Sequence, residues 1–71
     1  MDKRELITKV LSAHSCLTAM EIKGFAYRMF NEEISPNSAS GQLRSMIREG
    51  KAASSKNLNN KTVYWLVKKN G

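Results

Sequence analysis

The apolar positions change their spacing partway along the chain, and that change divides it into helices and a hairpin. Leu6, Ile7, Val10 and Leu11 recur at helical spacing and share one face. Asp2 and Glu5 stand three residues apart before them, the pattern of a capping box, so a first helix is expected to start at Asp2 and end within residues 12–15. Cys16 and Leu17 form a short extended piece, with Cys16 read as a small buried residue. Thr18 and Glu21 form a second capping box, with Leu17 and Ile22 placed as its hydrophobic staple. Ile22, Phe25, Ala26 and Met29 make the expected buried stripe of the second helix, with Phe30 at its margin. Lys23, Tyr27 and Arg28 point outward. Residues 31–37 are a turn. Pro36 fits only a first helical turn, so a third helix begins between Ser35 and Ser38 and runs to Glu49. Its apolar stripe is Ala39, Leu43, Met46 and Ile47, and Gly50 is its stop. Beyond it the spacing becomes two. Residues 51–56 are a weak strand, the asparagines of 57–60 a turn tolerant of left-handed backbone, and 62–67 a strong β-branched and aromatic strand. Residues 68–71 read as a frayed tail. The pattern predicts an α+β fold of three helices followed by a two-stranded hairpin, with a short strand between the first two helices.

Length and composition narrow the chemistry. With 71 residues the chain is expected to form one domain over 1–71, with a thin core. Cys16 is the only cysteine, so no internal disulfide forms, and His14 with Cys16 falls short of the four ligands of a structural zinc site. The one histidine and one cysteine lie at a helix-to-strand junction, Glu32 and Glu33 sit together in a turn, and no glycine-rich phosphate loop occurs. The expectation is a non-enzyme with no cofactor, no metal and no small-molecule effector. The chain has no apolar run of membrane-spanning length and no signal-peptide core, and a lone thiol suits a reducing compartment, so a soluble cytoplasmic protein without a membrane partner is expected.

The formal charge of +6 is unevenly placed. Residues 1–34 carry five basic and five acidic side chains and are neutral, whereas residues 35–71 carry Arg44, Arg48, Lys51, Lys56, Lys61, Lys68 and Lys69 against Glu49 alone. A one-sided positive field attracts polyanions, nucleic acid foremost.

The order of helix, short strand, helix, turn, helix and hairpin resembles the winged helix-turn-helix family of transcriptional regulators. The segments that carry the likeness are Leu17-Thr18-Ala19-Met20-Glu21-Ile22, the run from Ser38 to Lys51, and Val63-Tyr64-Trp65-Leu66. The turn over 31–37 is longer than the tight turn of the simplest helix-turn-helix. The resemblance implies that the hairpin is a wing whose tip lies along the DNA backbone or in a minor groove. It also implies that Tyr64 and Leu66 face the helices. Val63, Trp65 and Val67 would then form an apolar strip on the far face, covered by the first helix or by a second copy in a homodimer. In the opposite arrangement Trp65 anchors the core and Tyr64 faces out.

An α-helix fits the major groove if its outer face carries donors rather than carboxylates. At 100° per residue, Asn37, Gly41, Arg44, Ser45 and Arg48 lie opposite the apolar stripe of the third helix, with Ser38 and Gln42 flanking. Arginine reads guanine with two hydrogen bonds, glutamine and asparagine read adenine, and serines suit phosphates. Gly41 lowers helix stability by about 1 kcal/mol relative to alanine and permits close backbone approach. Lys56, Asn57, Asn59, Asn60 and Lys61 cluster at the hairpin tip. The expected function is sequence-specific binding of double-stranded DNA as a transcriptional regulator, with contacts at Asn37, Ser38, Gly41, Gln42, Arg44, Ser45, Arg48, Lys56, Asn59, Asn60 and Lys61. The alternative is a winged helix used as a protein-interaction module, an adaptor or anti-repressor, without base readout.

Overall fold

The computed structural model describes residues 2–67, so the expected tail at 68–71 lies outside the described residues. The elements run α1 (Lys3–Ala13), α2 (Ala19–Phe30), α3 (Pro36–Arg48), β1 (Ala52–Lys56) and β2 (Thr62–Leu66).

Asp2 holds the extended backbone of an N-cap, and its carbonyl accepts from the Leu6 N–H at 2.9 Å, but its side chain makes no capping bond. The expected box is not formed there. Glu5 runs along the helix toward Lys9, 3.8 Å away, instead of reaching back to the cap. Leu6, Ile7, Val10 and Leu11 are buried as their spacing requires. Cys16 corrects the sequence reading. It adopts φ 60°, a left-handed conformation, and is exposed, because the chain reverses sharply between α1 and Leu17 and turns this side chain outward. The expected short strand is a single residue. Leu17 bridges Tyr64, donating its N–H to the Tyr64 carbonyl at 3.1 Å and accepting the Tyr64 N–H at 2.8 Å.

In α2 the predicted capping box is present. Glu21 N–H donates to Thr18 Oγ1 at 3.2 Å, and Thr18 N–H donates to Glu21 Oε1 at 3.0 Å. Ile22 and Ala26 are fully buried, and Phe25 and Phe30 pack half-buried against the core. Met29, expected inside, is exposed. Asn31 ends the helix in left-handed backbone (φ 53°) and turns the chain so that Ile34, with Phe30, fills the core at that end. α3 starts as predicted. Ser35 is the cap, accepting the Ser38 N–H at 3.1 Å, and Pro36 opens the first turn. Ala39, Leu43 and Met46 are buried, with Ile47 half-buried beside them. Gly50 at φ 77° supplies the left-handed residue that leads into the hairpin.

β1 and β2 pair antiparallel, with Ala52 opposite Leu66, Ser54 opposite Tyr64 and Lys56 opposite Thr62. Ala52 is buried and Tyr64 and Leu66 pack against the helical core. The opposite arrangement, with Trp65 as the core anchor, is therefore not adopted. Trp65 and Val63 pair with Ala53 and Ser55 on the other face and are half-buried, while Val67 lies just past the strand and is exposed. Two further ties join distant parts of the chain. Arg4 at the start of α1 grips Glu49 at the end of α3 with two hydrogen bonds of 2.8 and 2.9 Å. His14 stacks on Phe25 of α2, ring centroids 4.2 Å apart.

Candidate nucleic-acid interface

The core side of α3 fixes what its other side can show. Because Ala39, Leu43 and Met46 point inward, the stripe Asn37, Gly41, Arg44 and Arg48 is exposed along the helix, with Ser38, Gln42 and Ser45 half-buried at its edges. Arg44 and Arg48 stand one turn apart, and neither has an ion pair or hydrogen bond among the described residues. Their guanidinium groups keep all their donors for an external partner. Ser38 is differently engaged. Its Oγ accepts from the Ser35 hydroxyl at 3.0 Å and lies 3.5 Å from Lys3 Nζ, so it helps to organise the start of α3. A Cβ at Gly41 would meet nothing within 4 Å, so no internal crowding demands glycine there. The same openness holds for Gly24 on α2.

Glu49, the single acid of residues 35–71, is withdrawn from this field. Arg4 holds it from α1, and Lys51 Nζ lies 3.3 Å from the same carboxylate. The hydrogen bonds from Arg4 keep the Glu49 carboxyl below its ordinary range, with Lys51 adding to the effect, and the same contact raises Arg4. The pairing was not foreseen from the sequence, since it joins residues that only the packing of α1 on α3 brings together.

The hairpin tip is closed by its own polar groups. Asn57 Oδ1 accepts the N–H groups of Asn59 at 2.9 Å and Lys61 at 3.0 Å, and the Asn57 carbonyl accepts the Asn60 N–H at 3.0 Å. Asn60 is left-handed at φ 61°, the arrangement of a three-residue hairpin loop. Asn57 is thus the brace of the turn, while Lys56, Asn59, Asn60 and Lys61 are exposed.

The sequence did not bring Lys3 to the start of α3. There, with Lys23, Gly24, Tyr27 and Arg28 of α2 and with Ile34 and Ser35, it lines an open groove of about 810 Å³. Lys23, Tyr27 and Arg28 do face outward as their helical phase predicted. Among the described residues, no group of three or more histidine, cysteine, aspartate or glutamate side chains is placed to hold a metal, and no helix is long and apolar enough to cross a membrane.

No protein-family model and no curated protein matches the chain. Among solved structures it is similar to that of the Campylobacter jejuni peroxide stress regulator, with a TM-score of 0.74 and 21% identity over 93% of this chain. The chain spans 48% of the length of that protein, so the likeness concerns about half of it. At this identity the similarity speaks to the fold. Three helices, the Leu17–Tyr64 bridge and the antiparallel hairpin give the chain a winged helix fold.

Proposed function

We propose that the chain is a sequence-specific double-stranded DNA-binding module, residues 1–71, that acts in transcription regulation in the cytoplasm. α3 enters the major groove, and the hairpin tip lies along the backbone or in the adjoining minor groove. The observation that carries the reading is the pair Arg44 and Arg48, exposed, without an ion pair or hydrogen bond among the described residues, and set on a helix face without acids. One turn of helix advances about 5.4 Å. Two arginines at that spacing reach neighbouring base pairs, each with the fork that matches guanine O6 and N7. Gln42 and Asn37 add amide readers. Gly41 sits where the helix backbone would come nearest to the groove floor, and Ser45 is placed for a phosphate. Ser38 contributes by fixing the start of the helix, a lesser part than its sequence position indicated. Lys56 and Lys61 supply counter-charge, and Asn59 and Asn60 amides, at the tip. The similarity to a protein described as a regulator accords with this reading.

Selection from a random duplex library is the test. An enriched sequence that Arg44→Ala and Arg48→Ala no longer distinguish supports the proposal. No enriched sequence, with both variants silent, removes it. Two half-sites would follow from pairing of two copies through Val63, Trp65 and Val67. Sedimentation of a strict monomer at high concentration, with or without DNA, rules that pairing out.

A protein-interaction role is favoured by one observation. Met20 and Tyr27 are exposed on α2 beside the groove with Ile34. That reading replaces the first if selection yields no site while Tyr27→Ala impairs regulation in cells.

A further inference from the structure

Leu58 stands apart from the other large apolar side chains among the described residues. Met20, Tyr27, Met29 and Val67 are exposed but each is partly covered by its neighbours, at 64%, 58%, 40% and 41%. Leu58 is 105% exposed, so none of the described residues shields it. It occupies the outermost turn of the hairpin, where polar residues are the rule. The turn beneath it is firmly built, with Asn57 Oδ1 accepting two backbone N–H groups and the Asn57 carbonyl a third. A held turn presents the leucine outward and denies it a fallback against the sheet. On either side stand Lys56 and Lys61, and residues 51–67 contain no acid.

We infer that Leu58 is an apolar wedge that enters the minor groove at a flexible base step and kinks the duplex. The inference rests on the DNA-binding reading above and adds DNA bending to it. The charge around the leucine matches that occupant, because Lys56 and Lys61, exposed and only two and three residues from it along the turn, can hold the phosphates on the two rims of the groove. Asn59 and Asn60 can donate to the adenine N3 and thymine O2 acceptors of the groove floor. Leucine belongs to the small set of side chains used to part base steps, and pyrimidine–purine steps such as TpA part most easily. A bent duplex also brings the backbone toward both the tip and α3, so a single copy of the reading surface gains contact area.

Two duplexes identical except for central TpA or GpC steps test this, with dyes at the ends to report bending and 2-aminopurine beside the step to report unstacking. The full 71-residue chain is compared with Leu58→Ala and Leu58→Phe. The expected result is that the native chain bends and unstacks the TpA duplex. Leu58→Ala should lose both signals and bind that duplex about ten-fold more weakly, with binding to the GpC duplex unchanged. Leu58→Phe should keep the signals. Because Leu58 is fully exposed, neither substitution endangers folding, and circular dichroism verifies it. Bending and unstacking by Leu58→Ala equal to those of the native chain overturn the wedge and leave DNA binding intact. Failure to bind either duplex, or any duplex from the random library, overturns both.

Discussion

Replacing Lys56 and Lys61 together by alanine separates backbone attraction from base reading. Both are exposed at the hairpin tip and neither has an ion pair or side-chain hydrogen bond among the described residues, so their loss leaves the fold in place. Each lysine that neutralises a phosphate releases counterions and contributes about 0.9 to the slope of log K against log salt. Two lysines therefore carry about 1.8 of that slope. Between about 50 and 200 mM salt, the native chain should lose affinity about ten-fold more than the double variant. The loss at low salt should be the same on a selected site and on mixed-sequence DNA, because phosphates carry no sequence. Arg44→Ala should behave in the opposite way, costing about 1–3 kcal/mol on the selected site and little elsewhere. Fluorescence anisotropy titrations across a salt series read both quantities. An unchanged salt slope in the double lysine variant refutes the placement of the tip on the backbone. A loss for Arg44→Ala that is equal on all sequences refutes base reading by α3.

Three further outcomes test the scaffold. Leu43→Ala removes a fully buried side chain from the α3 stripe and should cost about 2–5 kcal/mol in urea unfolding, most of the margin of a domain this small; a cost below about 1 kcal/mol would show that α3 is not packed by this residue. Gly50→Ala should cost about 1 kcal/mol or more through its φ of 77° alone, since a Cβ there meets nothing within 4 Å; thermal unfolding at an unchanged midpoint contradicts the left-handed geometry. Arg4 holds the Glu49 carboxyl below its ordinary value of 4.5, so the bond stabilises the fold above that pH and the contribution fades as acid protonates Glu49 in the folded state. Arg4→Ala should therefore lower the unfolding midpoint at neutral pH and by less below the carboxylate range, and an equal loss at both refutes the ion pair as the cause.

Periodicity located the three helices and both strands of the described residues, because each amphipathic stripe has a partner surface, and α2 and α3 also have strong punctuation: Thr18 with Glu21, Ser35 with Pro36, and Gly50. The outward face of α3 followed from the same periodicity, since fixing Leu43 and Met46 inward fixes Arg44 and Arg48 outward. What the sequence concealed lies in left-handed backbone, in local hydrogen bonds and in one contact between distant residues. Met29 has the phase of a core residue but is exposed, while Ile34, beyond the left-handed turn at Asn31, is buried in the core. Cys16 has the hydrophobicity of a buried residue, but a left-handed backbone turns it out. Asn57 and Ser38 have the composition of contact residues, yet local hydrogen bonds employ them first. The partnership of Arg4 with Glu49, across 45 residues, leaves no local trace at all.

The Leu17–Tyr64 bridge has a mechanical consequence. It fastens the hairpin to the helical body at Tyr64, opposite Ser54, leaving only the pairs Ser55–Val63 and Lys56–Thr62 and the closing turn to project beyond it. That free arm is short, about 7 Å of strand, and is anchored at one end. Its reach can be altered without disturbing the helices. Inserting one residue on each side of the turn would extend it by about 3.3 Å, while α3 keeps its seat. The separation between what the helix touches and what the tip touches is thus a dimension that hairpin length sets by itself. Chains with the same third helix and different hairpins would grip stretches of different length.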